Sequence, residues 1–303
     1  IYHGIEKLTP GQYVQIKKGQ LRAGVSPKAY WQLNQAIENG LANQCRGTDV
    51  QVTDLLEQTI SQAVSGQMMA DVPLGAFLSG GVDSSTVVAI MQQQSNKPVR
   101  TFAIGFDEPG YNEAEYAKKV AQHLGTDHTE LYVSAQDALE LVPRLPDIYC
   151  EPFADSSQLP TFLVSRMAKQ HVTVALSGDG GDELFGGYNP YQFAPRLWQT
   201  LKTLPRPLRQ IAFRLLSGFP LPAKLAKLLR VLPAKDKESF YNTLISHWDT
   251  PEQLVIGGQI RPTLISSCKK WPKVDCFEHW MMAMDAGQYM TDDILVKVDR
   301  AAM

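Results

Sequence analysis

Residues 79–85 read Ser-Gly-Gly-Val-Asp-Ser-Ser and lie between two apolar runs, LGAFL at 74–78 and TVVAIM at 86–91. Both runs are apolar enough to be buried, so the turn joining them belongs to a core. A strand-to-helix turn of this composition suits polyphosphate. Gly80 and Gly81 let the backbone approach a ligand closely, the next helix offers free N–H groups at its N-terminus, and Ser79, Ser84 and Ser85 add hydroxyls. Asp83 makes little sense as one more anion there unless a cation sits between. An Mg²⁺ held by a carboxylate and by phosphate oxygens removes the conflict. The plainer alternative is a strand–turn–helix connection in which Asp83 is an ordinary charge at a helix N-terminus. Neither G-x-x-x-x-G-K-[ST] nor G-x-G-x-x-G occurs, so an ATPase cutting the β–γ bond has no support.

The elements that must position this turn alternate in period. Strand patterns at 74–78, 100–106, 128–133 and 172–176 are separated by helical patterns at 84–94, 112–124 and 158–170. The clearest helix has Asn112 as its cap, acids in its first turn and Gly125 at its end. This order predicts an α/β fold with a doubly wound parallel sheet, which binds ligands at the carboxyl ends of its strands. In ALSGDGGDELFGGY (175–188), Ser177, Gly178 and Asp179 also follow a strand pattern and belong beside the first turn.

Upstream, a helix is expected over about 51–66 with Val52, Leu55, Leu56, Ile60 and Val64 on one face. Residues 1–33 read as one or two hairpins, with turns at Pro10-Gly11 and at 17–20 (KKGQ) around a strand in QYVQI, and 34–50 read as a linker. From about 189 the strands stop, and prolines at 205, 207, 220, 222, 233, 251, 262 and 272 punctuate a helical pattern. That stretch is expected to form a second, α-helical layer. Residues 184–235 hold nine Lys or Arg and no acid, either a basic surface for a partner or the solvated faces of amphipathic helices.

A chain of 303 residues, 44% hydrophobic, can build one large domain or two smaller ones. No stretch approaches the roughly 20 uncharged apolar residues of a spanning helix. The net charge of −2 gives no broad basic field, which argues against nucleic acid as a partner. Cys45, Cys150, Cys268 and Cys276 form no C-x-x-C pair and read as buried or free thiols, with the cytoplasm as the compartment. His123 and His128 read as structural, since no acid–His–nucleophile grouping surrounds them. No signal peptide opens the chain, the first residue is not Met, and both ends read as boundaries inside something longer.

SGGVDSS resembles the pyrophosphate-binding loop of the ATP pyrophosphatase (PP-loop) superfamily, which cleaves ATP between the α and β phosphates. DVPLGAFLSGGVDSS, FAIGF, EPFADSS, ALSGDGGDELFGGY and DDILVKVDRAAM look like the glutamine-dependent asparagine synthetases, and HGIEKLTPGQYV resembles the end of that family's N-terminal glutaminase domain. The resemblance implies a sheet of the adenine nucleotide alpha hydrolase type with a C-terminal α-helical region. It divides the chain into 1–50 (glutaminase tail and linker), 51–188 (ATP-binding α/β domain) and 189–303 (helical part of the synthetase domain).

Carried over by motif, the resemblance implies that Ser79, Gly80, Gly81, Asp83, Ser84 and Ser85 hold the pyrophosphate end of ATP. Asp83 and Asp182 would bind Mg²⁺, and the backbone of Leu78, Ile104 and Gly178, with Ser177 nearby, would line adenine and ribose. Asp179 would orient the acceptor or the incoming amine. EPFADSS (151–157) sits where the family recognises its amino-acid acceptor, and Asp155 or Ser156 would also cap the helix from about 158. The implied reaction adenylates a carboxylate, aspartate first of all, and ammonia then displaces AMP to give an amide. Relatives with this loop amidate sugars or other carboxylates in surface-polysaccharide pathways, and a non-catalytic nucleotide-binding remnant is the reading from another class. Implied partners are ATP, a small carboxylate and ammonia from a glutaminase domain outside this chain, and a homodimer is compatible with the family. The family's R-x-P-F-x-D segment and catalytic lysine fall beyond Met303. Lys297 and Arg300 are the cations nearest that end, and Lys297 is expected to serve its helix rather than a ligand.

Overall fold

A computed structural model describes residues 3–18, 25–106, 112–246, 248, 253, 256–257 and 262–303. In chain order the elements begin with strands β1 (Gln12–Tyr13) and β2 (Lys28–Ala29) and helices α1 (Leu33–Ala42) and α2 (Asp49–Met68). There follow β3 (Leu74–Phe77), α3 (Val82–Gln94), β4 (Arg100–Phe106), α4 (Ala114–Leu124), β5 (Asp127–Val133), α5 (Ala135–Leu141), α6 (Leu145–Tyr149), α7 (Gln158–Ala168) and β6 (Val174–Leu176). The rest is helical: α8 (Gly181–Phe185), α9 (Asn189–Thr203), α10 (Arg206–Leu216), α11 (Ala223–Val231), α12 (Lys237–Ile245), α13 (Phe277–Gly287) and α14 (Leu295–Ala302). A single π-helical turn, Met290–Ile294, leads into α14.

Two compact units emerge. One holds the residues up to Lys7, Asn43–Gly181 and Thr291–Met303, and the other holds Leu8–Ala42 and Asp182–Met290.

The first unit carries a four-stranded parallel sheet in the order β5-β4-β3-β6. β3, β4 and β6 are mostly apolar because helices cover both faces, as parallel sheets require, while the edge strand β5 (DHTELYV) carries polar residues. Ala76, Leu78, Val88, Met91, Ala117 and Ala121 pack on one side, and Phe102, Val164, Met167 and Val172 pack on the other. Burying each of the larger side chains contributes roughly 1.5–3 kcal/mol. The strand order turns back at β3, whose neighbours are β4 and β6, so the carboxyl ends of β3 and β6 open a crevice of the kind that binds ligands.

In the second unit, Trp280, Met281 and Met284 of α13 pack with Phe240, Tyr241 and Leu244 of α12 and with Tyr191 and Ala194 of α9. Within this aromatic core, buried Asp285 accepts hydrogen bonds from Tyr191 Oη at 2.6 Å and from Tyr241 Oη. Burial raises the Asp285 pKa, against the pull of those two hydroxyls. Arg209, one of the nine bases of 184–235, is also buried and donates to the carbonyls of Leu204, Leu232 and Ala234. It closes helix ends and takes no part in a basic surface. Leu208, Ile211 and Leu215 of α10 are exposed, so that segment's faces are not uniformly polar.

Several expectations need correction. Residues 33–42 are a helix and not linker, because Leu33 and Ile37 supply an i, i+4 pair and Ile37 packs on the α12–α13 core. Of the face expected for α2, Val64 is buried and Ile60 partly so, while Val52, Leu55 and Leu56 are exposed. The helix instead starts on a capping box between Thr48 and Gln51. In QYVQI only Gln12 and Tyr13 are strand, and the expected turn at 17–20 lies partly outside the described residues. Asn112 caps nothing: α4 begins after Glu113, and Asn112 Oδ1 is buried without a hydrogen bond. Gly125 does end α4, with φ of 70°.

Candidate nucleotide site

The turn after β3 is built from its own side chains. Ser79 Oγ and Ser84 Oγ are 2.9 Å apart, Ser79 N donates to Ser84 Oγ at 3.2 Å, and Gly81 N donates to Ser79 Oγ at 3.3 Å. Gly81 is the residue before α3, and the first helical bond runs from Ser85 N to Gly81 O. The amides of Val82, Asp83 and Ser84 therefore have no carbonyl partner within the helix. Three N–H groups at a helix N-terminus, with two serine hydroxyls, make a cradle for an anion.

The two glycines do different work. Gly80 has φ of 81°, and a Cβ there would come within 2.7 Å of Ala117 N and of the Tyr116 side chain. Its lack of a side chain lets the turn pack on the start of α4. Gly81 has ordinary φ and open surroundings apart from Ser79 Oγ, so its bare face is turned to space that a ligand can occupy.

The second motif meets the first. Leu74, Gly75 and Ala76 pair with Val174, Ala175 and Leu176, so Ser177 and Gly178 leave β6 alongside Phe77 and Leu78. A Cβ on Gly178 would stand 2.7 Å from Ser84 N, and one on Gly181 would stand 2.5 Å from Asp83 Cγ. Those distances are possible only for glycine, and they put the Asp83 carboxylate against the 178–181 turn. Asp179 is exposed at its tip, and Gly180 takes φ of 89°. Leu78 is buried, and its N–H donates to Phe102 O at 2.9 Å. Ile104 lies two residues further along β4, packed beneath Phe102 and Leu131.

Two further predicted site residues are Asp182 and Ser85. Asp182 is the first residue of the second unit, where its carbonyl accepts from Gly187 N. Ser85 lines a groove of about 550 Å³ with Val82, Thr86, Ala89 and the α4 residues Lys119, Val120, His123 and Leu124, and its buried hydroxyl makes no hydrogen bond. Among the described residues no three His, Cys, Asp or Glu side chains gather into a metal cage. The donor set fits an ion completed by phosphate oxygens, since Mg²⁺ is commonly held by one or two carboxylates plus phosphates.

A cluster that sequence reasoning did not assemble lies at the same end of the sheet. Lys297 is buried, and its Nζ donates to Asp155 Oδ2 and to Ser157 Oγ, both at 2.7 Å. Asp155 Oδ1 accepts from Ser157 N at 2.8 Å and Oγ at 2.7 Å, an Asx turn that hands the chain into α7. Neither Asp155 nor Ser156 is the cap of α7: Ser157 holds that position and bonds no helix amide with its side chain. Burial opposes ionisation of Asp155, yet Lys297 and Ser157 together hold its pKa below the usual carboxylate value. Asp293, buried beside Asp155, has its pKa pushed up to about 6 by burial and by that carboxylate. Lys7 bonds Glu151 at the other end of the same loop and lowers the Glu151 pKa. The apolar spacing of DDILVKVDR was the available signal, since Lys297 follows Ile294 by three residues on the face that α14 buries with Ala301.

His128 is structural in its contacts, with Nδ1 2.8 Å from Thr101 Oγ1 and a pKa lowered by burial. All four cysteines are free. No helix among the described residues is long and apolar enough to cross a membrane.

A parallel α/β unit with an anion cradle at its strand-order reversal defines a nucleotide-binding class of protein. The asparagine synthase family profile matches residues 55–303, and the chain belongs to that family. It is 37% identical over 268 residues to the "Putative asparagine synthetase (glutamine-hydrolyzing) 2" of Methanocaldococcus jannaschii, covering 82% of this chain and 48% of that one. It is 27% identical over 314 residues to asparagine synthetase (glutamine-hydrolyzing) 1 of Bacillus subtilis, covering 99% and 46%. With asparagine synthetase B of Escherichia coli it shares 29% identity over 209 residues, covering 63% and 35%. The chain thus spans about half or less of the length of these relatives.

Proposed function

We propose that the chain is the synthetase portion of an ATP-dependent, AMP-forming carbon–nitrogen ligase that amidates a small carboxylate, with aspartate as the acceptor. The observation carrying this reading is the fit of Gly178 and Gly181 against Ser84 N and the Asp83 carboxylate, which joins two polar turns into one polyphosphate site. Family membership supports the reaction class.

The free amides of Val82, Asp83 and Ser84, with the hydroxyls of Ser79 and Ser84, bind the β and γ phosphates. Asp83 would hold Mg²⁺, which when bound neutralises phosphate charge and orients the leaving pyrophosphate. Leu78, Ile104, Ser177 and Gly178 line the nucleoside end. The acceptor carboxylate oxygen attacks the α-phosphorus, the bond to the bridging oxygen breaks, and pyrophosphate departs with the electron pair. Ammonia then attacks the acyl carbon, loses a proton, and AMP leaves. Asp179 at the exposed turn tip is placed to orient the amine.

Product analysis tests the reading. Incubation of the full-length protein that contains this chain with ATP, magnesium, aspartate and ammonium should yield AMP, pyrophosphate and asparagine in equal amounts. ADP and phosphate as the nucleotide products would contradict it.

A further inference from the structure

Helix α7 runs back from the carboxyl end of the sheet to its amino end, because it leads into β6 of a parallel sheet. Leu159 and Phe162, near its start, pack with Ile104 and Phe106 at the carboxyl end of β4. The loop 151–157 therefore lies at the ligand end of the sheet, on the side of β4, the strand next to the one that carries the phosphate cradle. Its fixed points are remote in sequence. Lys7 holds Glu151, and Lys297 holds Asp155 and Ser157. Buried Asp293 stands beside Asp155, and its Oδ1 has no hydrogen-bond partner.

Lys297 spends its charge inside this cluster. Two of its three hydrogens are used at 2.7 Å, and it is 7% exposed. A lysine so placed acts on what Asp155 and Ser157 shape.

We propose that Lys297 is a positioning residue that fixes the 151–157 loop through Asp155 and Ser157, and that this loop forms the wall against which the acceptor carboxylate substrate is placed. The loop's role toward the acceptor rests on the ligase reading above, whereas the latch itself does not. Without Lys297, Asp155 is a half-buried carboxylate with no cation, and the loop must rearrange to hydrate it. Misplacement of a reacting group by about 1 Å can cost on the order of 10²-fold.

The test compares wild type, Lys297→Met, Asp155→Asn and the double variant. Amide hydrogen exchange needs no activity: the Ser157 and Gln158 amides should exchange at least about tenfold faster in Lys297→Met, and the double variant, which removes the Asp155 charge together with its cation, should recover protection. In turnover, Lys297→Met should raise KM for the acceptor while KM for ATP stays unchanged, and the double variant should recover most of the loss. Unchanged exchange in Lys297→Met would overturn the latch. Restored exchange with no recovery of turnover would also overturn the proposal, because Lys297 would then act directly on substrate. If wild type makes no AMP, the ligase reading fails, and the exchange arms still decide the latch.

Discussion

The phosphate cradle and the Lys297 cluster lie at the same end of one sheet and are built in opposite ways. Every hydrogen bond within the cradle turn spans five residues or fewer, from Ser79 to Ser84, and Gly80, Gly178 and Gly181 are bare because neighbouring backbone and carboxylate leave no room. The Lys297 cluster joins residues 140 and 142 positions apart. The cradle leaves the amides of Val82, Asp83 and Ser84 without a carbonyl partner in the helix, whereas the cluster uses its charges on one another. Polar residues left open at a sheet's carboxyl end point to binding. Polar residues that satisfy one another there point to support of a loop.

That contrast predicts opposite effects of mutation. Lys297→Met should cost about 1–3 kcal/mol of stability in urea unfolding, since it leaves a half-buried carboxylate without its cation. Nucleotide affinity of the folded fraction should stay unchanged. Gly181→Val should do the reverse: its branched side chain displaces Asp83, and ATP affinity should fall by about 10²-fold while the fold survives, as read by calorimetry and circular dichroism.

A smaller effect sharpens the electrostatic side. The Asp293 pKa lies at about 6 in the fold against 3.8 for the free carboxyl, so the folded state binds the extra proton between those values. Stability from this group is therefore greatest at low pH and falls as pH rises through about 4 to 6. Asp293→Asn should flatten that slope and raise Tm at pH 7, with little gain at pH 4, in a pH series of thermal melts.

The same contrast explains what the sequence disclosed. The parallel strands were legible because β3, β4 and β6 are mostly apolar runs and β5 mixes polar residues with β-formers between helical patterns, and all four fall within a residue or two of their expected bounds. The cradle was legible because its logic is local. Asp155 looked like a helix cap because Ser157 and α7 follow it, and nothing within a few residues indicated a lysine from the far end of the chain. Helix α1 was obscured by Asn34, Gln35, Glu38 and Asn39 around a sparse apolar pair, and tertiary packing of Ile37 decides it. Asp285 follows the same rule: it is buried in the second unit's core, where the hydroxyls of Tyr191 and Tyr241, 94 and 44 residues away, satisfy it.

The most direct test of the cradle is ATP titration by calorimetry with and without magnesium, on wild type and Asp83→Ala. Asp83 sits in the first turn of α3, where a carboxylate contributes about 0.3–1 kcal/mol to the helix, so the variant should remain folded. The account predicts magnesium-dependent ATP binding in wild type and loss of that dependence in Asp83→Ala. Equal magnesium-dependent affinity in both proteins would contradict it.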